Sequence, residues 1–100
     1  MSSATYYTPA AHARLADGSL PSRQGGYCAL RGVPFGSRVL VTTRGGRRVV
    51  VTCRDRGNLS PGTIDLDRRS FEALAGPRYK IIGRLRVRWR VVRAGRRGRG

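Results

Sequence analysis

Short stretches of extended, strand-forming pattern recur along this chain, strictly of period two in the last of them, and only one short segment reads as a helix. The most regular stretch is Leu85, Val87, Trp89 and Val91 interleaved with Arg84, Arg86, Arg88 and Arg90. That pattern predicts a strand with one face in a core and one in water. Arg38–Thr43 (RVLVTT) and Arg47–Cys53 (RRVVVTC) flank Arg44-Gly45-Gly46 and predict a hairpin. In its second strand Val49, Val51 and Cys53 share one face and Val50 and Thr52 the other, so it is predicted to be central and apolar on both sides. Ala4–Thr8 (ATYYT) predicts a short strand ended by Pro9, with Tyr6 and Tyr7 on opposite faces and one ring exposed. Cys28–Leu30 and Thr63–Leu66 complete the extended pieces. Asp67 reads as the N-cap of a helix over Arg68–Ala75, with Leu66 and Phe71 spaced as a hydrophobic staple and Gly76-Pro77 as the stop. It is the only helix the pattern predicts. Ala10–Gly26 has weak periodicity and several turn residues, and predicts a long loop across one end of the fold.

Composition narrows the partners. The chain has 100 residues, enough for one domain with one core, and carries 21 Lys plus Arg against 5 Asp plus Glu, a formal charge of +16. Lys80 is the only lysine. Such a surface attracts polyanions: nucleic acid through non-specific charge, anionic lipid, or a cell wall carrying carboxylates and phosphates. No run of about 18 apolar residues crosses a membrane, and the first residues, MSSATYYTP, lack the basic start and apolar centre of a secretory signal. Cys28 and Cys53 have neither C-x-x-C spacing nor accompanying histidines, which argues against a zinc site and leaves one disulfide or two buried thiols. No metal or other cofactor is expected. The segment from residue 93 to residue 100 is predicted to be a basic, disordered tail.

The chemistry concentrates between Val49 and Leu66. A β-branched run delivers Asp55 into a turn made by Arg56, Gly57 and Asn58, and Ile64 and Leu66 hold a second carboxylate, Asp65, between them. Asp55 and Asp65 are the candidate catalytic residues. The flanking Arg54 and Arg56, and the rings of Tyr6 and Tyr7, are the candidate substrate contacts. Each carboxylate also has a purely architectural alternative. Asp55 can accept from the backbone of its own turn, and Asp65 can satisfy amides at the start of the helix. His12, the only histidine, has no partner visible in sequence.

Taken together, ATYY, ALRGVPFGSRVLVT, VVVTCRDRG and IDLDRRSFEALA, followed by a glycine and an alternating strand, resemble the RlpA-like double-psi β-barrel over residues 4–92. The resemblance implies an all-β fold, a small six-stranded double-psi β-barrel with one short α-helix and a polysaccharide groove across one face. Relatives include septal lytic transglycosylases, expansins and some endoglucanases. In the transglycosylase branch the aspartate of the D-R-G motif is the proposed acid/base, here Asp55; in the expansin branch the essential aspartate precedes Leu before the helix, here Asp65. The family pattern also sets Cys28 and Cys53 side by side on neighbouring strands, bridged or at least adjacent.

Two positions depart from that pattern. Leu30 stands where the transglycosylases carry a histidine, and Thr8 where the inverting endoglucanases carry an aspartate. Three functions are considered in order, the first two implied by the resemblance and the third by the basic charge and the absence of a signal pattern. The first is lytic-transglycosylase-like cleavage of peptidoglycan by an aspartate acid/base. The second is a non-catalytic, expansin-like module that binds polysaccharide and loosens the wall. The third is a basic nucleic-acid- or virion-associated protein that has reused the barrel. The implied partner is cell-wall glycan, peptidoglycan or another anionic polysaccharide, met by a monomer. The implied location is the cell wall, periplasm or exterior, as a mature domain.

Overall fold

In the computed structural model, which describes residues 2–95, six strands close into a barrel in the order β1-β5-β2-β4-β3-β6. The strands are β1 (Ser2–Tyr7), β2 (Tyr27–Ala29), β3 (Arg38–Thr43), β4 (Arg48–Asp55), β5 (Thr63–Asp67) and β6 (Leu85–Arg93). Two pairings are parallel, β1 with β5 and β2 with β4. The others are antiparallel. Closure leaves no open sheet edge, which is how a domain this small keeps strands from pairing with other molecules.

Period two sets the interior. Ala4, Cys28, Val39, Val41, Val51, Cys53, Ile64, Leu66 and Val87 are all at most 2 % exposed and form one apolar cluster. β6 behaves as its pattern predicts up to Trp89: Arg86, Arg88 and Arg90 are exposed, Val87 is buried and Leu85 and Trp89 are half-buried. Val91 and Val92 both face water, although Val91 still pairs with Val39 of β3. β4 pairs with β2 on one side and β3 on the other, as every strand of a closed barrel has two neighbours. Its second face is less apolar in practice than in sequence, because Val50 looks outward at 43 % exposure.

The helix α1 (Arg68–Ala75) has the predicted bounds. Its cap does more than stabilise the helix. The buried Asp67 carboxylate accepts from Ser70 N at 3.1 Å and Ser70 Oγ at 2.5 Å. It also accepts from Gly26 N at 2.9 Å and Tyr27 N at 3.1 Å. One side chain thus ties the helix start to the entry of β2. Gly25 must be glycine there, since its φ is +76° and a Cβ would collide with the Asp67 carboxylate. A second helical segment, α2 (Tyr79–Ile82), is an addition to the single helix predicted. It follows the Gly76-Pro77 stop and buries Tyr79 edge-on against Tyr6, centroids 5.4 Å apart. That contact is long-range and leaves no periodic trace.

β6 runs to Arg93, and Gly95 N donates to the buried Ser37 Oγ at 2.7 Å. The rest of the predicted tail, residues 96–100, lies outside the described residues. Among the described residues no helix is long and apolar enough to cross a membrane.

Candidate active site

Strand register assembles the two carboxylates. Thr5 of β1 pairs with Asp65 of β5, Asp65 pairs with Ala29 of β2, and Ala29 pairs with Asp55 of β4. The four residues form one row across four strands, with only the methyl group of Ala29 between the carboxylates. The rows on either side, Ala4–Ile64 and Leu66–Cys28–Cys53, point into the core, so the Asp55–Asp65 row lies on the outer face.

For Asp55 this placement depends on an irregularity. Cys28 pairs with Cys53, yet the next residue, Ala29, pairs with Asp55 rather than Arg54. Arg54 is the extra residue of a β-bulge. Regular alternation would put Asp55 on the same side as Cys53, inside the barrel; the bulge turns it to the face shared by Ala29 and Asp65.

Asp55 is held from three directions. Tyr7 Oη–H donates to Oδ2 at 2.8 Å, while Ala16 N and Arg56 N donate to Oδ1 at 2.8 and 2.9 Å. The bond from Arg56 N is the turn interaction read from sequence as the architectural alternative. The bonds from Tyr7 and Ala16 come from elsewhere in the chain and fix the carboxylate's orientation. Asp65 accepts from Thr5 Oγ1 at 2.7 Å. Burial lifts its pKa above the ordinary carboxylate range, the Thr5 hydrogen bond opposes this, and the charge of Asp55 adds to it. The helix amides that Asp65 might have served are capped by Asp67 instead.

The tyrosines divide the work. Neither ring is exposed, contrary to expectation; both are half-buried. Tyr6 packs on Phe71 at 4.8 Å between centroids and belongs to the core edge. Tyr7 lies on the outer face, and burial, then its bond to Asp55, raise its phenol pKa far above the usual value, so it remains a neutral donor. It borders a cavity of about 200 Å³ that Pro9, Pro21, Arg23, Tyr27 and Arg69 also line. Tyr27, not singled out in sequence, stands edge-on to Tyr7 with centroids 6.2 Å apart.

Arg54 and Arg56 spend their donors on the protein. Arg54 Nη2 donates to Ser19 Oγ and Leu20 O, both at 2.6 Å, and its own carbonyl accepts from Asp17 N at 3.1 Å. The long loop is thereby fastened beside Asp55. Arg56 donates to Leu30 O at 3.0 Å and Val33 O at 2.6 Å, and its guanidinium lies 3.9 Å from the Phe35 ring centroid. The sequence placed both beside Asp55, and the bulge decides where they point. His12 is exposed on the loop.

Beneath the row, Cys28 and Cys53 are register partners and both are fully buried thiols. Adjacency is as expected, and the bond between them is not formed. The neighbouring Cys53 thiol, ahead of burial, raises the pKa of Cys28, and the neighbouring Cys28, with the Arg56 Nη1 donor at 3.1 Å, lowers that of Cys53. Among the described residues no group of three His, Cys, Asp or Glu side chains is placed to hold a metal ion.

No protein-family model matches this sequence, and no curated protein matches it.

Proposed function

We propose that the chain is an RlpA-like double-psi β-barrel that cleaves cell-wall glycan in the manner of a lytic transglycosylase, acting in the wall, periplasm or exterior. The observation that carries this reading is the pair of carboxylates on either side of Ala29, one biased toward its protonated form and the other held by polar donors. Two carboxyls in unlike surroundings are what acid/base chemistry at a glycosidic bond requires. Asp65 delivers its proton to the leaving glycosidic oxygen. The 6-hydroxyl of the muramic residue closes on the anomeric carbon and gives its proton to a carboxylate of the pair, so no water is consumed. Tyr7 keeps Asp55 oriented and borders the small cavity that a neighbouring sugar enters. Arg54 and Arg56 hold the loops that frame the site.

The purified chain is incubated with isolated peptidoglycan, and anhydro-muropeptides are followed by mass spectrometry. Release is expected from the wild type, with Asp65→Asn and Asp55→Asn each lowering turnover roughly 10²–10⁴-fold, as for a lost general acid or base, while sacculus binding stays intact. One feature favours a second, expansin-like reading. Leu30, at the position where the resemblance implies a histidine, is 2 % exposed and apolar. Binding without any anhydro product from the wild type overturns the enzyme reading and leaves the expansin-like one.

A further inference from the structure

Away from the carboxylates, a cavity of about 610 Å³ opens between the β3–β4 hairpin tip and the segment running from α1 through α2 to β6. Arg44 and Arg47 reach it from the hairpin, Arg78 and Arg86 from the other side. Among the described residues these four guanidinium groups take part in no ion pair, since the two salt bridges are Arg54–Asp17 and Arg68–Glu72. No acidic residue lines the cavity, whose apolar lining includes Leu74, Pro77, Ile82 and Leu85. Four uncompensated cations around one opening repel each other until an anion enters.

The adjoining α2 decides what kind of anion. Ile81 is 82 % exposed and Ile82 41 % exposed, with Lys80 and Arg84 in water beside them. A nucleic-acid strand would satisfy the arginines but leave both isoleucines in water, and no aromatic ring lines the cavity to stack a base. A bilayer satisfies both features: phosphate headgroups meet the arginines, and the isoleucines enter the boundary with the acyl chains. We propose that this corner of the molecule is a docking site for an anionic phospholipid membrane, with a lipid phosphate in the Arg44–Arg47–Arg78–Arg86 cleft and Ile81 as the inserted tip. The site is separate from the Asp55–Asp65 row and does not depend on its chemistry.

Co-sedimentation of the whole chain with vesicles tests it. Vesicles of equal parts phosphatidylcholine and phosphatidylglycerol should bind the protein, and phosphatidylcholine alone should not. Ile81→Ser leaves the net charge unchanged and removes no buried contact, yet should weaken binding roughly tenfold or more, the transfer cost of one isoleucine side chain. Arg44→Glu with Arg47→Glu should lose roughly fivefold or more per cation removed. Arg88→Glu with Arg90→Glu, the same charge change on exposed positions outside the cleft, should lose less. Equal losses from the two pairs, or vesicle binding indifferent to Ile81→Ser, would overturn the proposal. Binding of a single-stranded oligonucleotide should be insensitive to Ile81→Ser; a parallel loss on both ligands would likewise sink it.

Discussion

At Asp65 one residue carries both a cost and a use. Its carboxyl is half-buried, and burial and the Asp55 charge raise its pKa against the single opposing hydrogen bond from Thr5. Because the folded chain binds this proton more tightly than the unfolded chain, folding stability falls as pH rises from the unfolded carboxylate value through the folded one. Above that window the deficit is complete. Asp65→Asn removes the charge while its amide oxygen can still accept from Thr5, so the variant should melt above the wild type at pH 7. The advantage should disappear once the pH is below the carboxylate range, a comparison thermal melts across pH will make. A variant that is more stable and inactive marks a residue kept for function. Asp67, two positions on, shows the opposite economy: it is buried and accepts four hydrogen bonds from the chain itself.

Among elements, those set by local rules were legible in the sequence. The bounds of α1 follow from Asp67, the Leu66–Phe71 spacing and Gly76, all within a dozen residues, and the arginine faces of β6 follow from period two. What the sequence hides is register. The bulge at Arg54 decides that Asp55 faces out with Asp65, and it exists only as a pairing between β2 and β4, which lie far apart in the chain. Tyr27 was missed because its contact with Tyr7 crosses the fold, and α2 because four residues are too few to show a helical period. The bulge also aims Arg56, which braces the connection from Leu30 to Phe35 through two carbonyls and a ring. Arg56→Ala should therefore cost about 2–4 kcal/mol in denaturant unfolding, the range for charged hydrogen bonds with a stacked ring. Arg56→Lys should recover less than half, because an ammonium cannot fork to two carbonyls.

For the whole molecule, a charge of +16 on a closed barrel means that nearly every face is cationic, and partner choice depends on what accompanies the charge. Arg88 and Arg90 of β6 lie outside the cleft, beside Val91 and Val92, which are 39 % and 44 % exposed against 82 % for Ile81; under the proposed function they are the contact for a wall polymer. Sacculus binding should weaken steeply as salt passes about 0.15 M, where the screening length is about 8 Å. Arg88→Glu with Arg90→Glu should reduce it without changing the melting temperature; salt-insensitive retention in pull-downs would make the stripe a solubilising face only. The barrel's closure also has a kinetic side. β1, the first strand, pairs with β5 and β6, the last two, so its ladder cannot form until nearly all the chain is available. Such non-local pairing belongs to the slow, millisecond-to-second class of small-domain folding. Trp89, the only tryptophan, sits on β6 opposite Val41 of β3, in one of the two seams that β6 must join to close the ring. The chain thus carries its own optical reporter of the moment the barrel shuts.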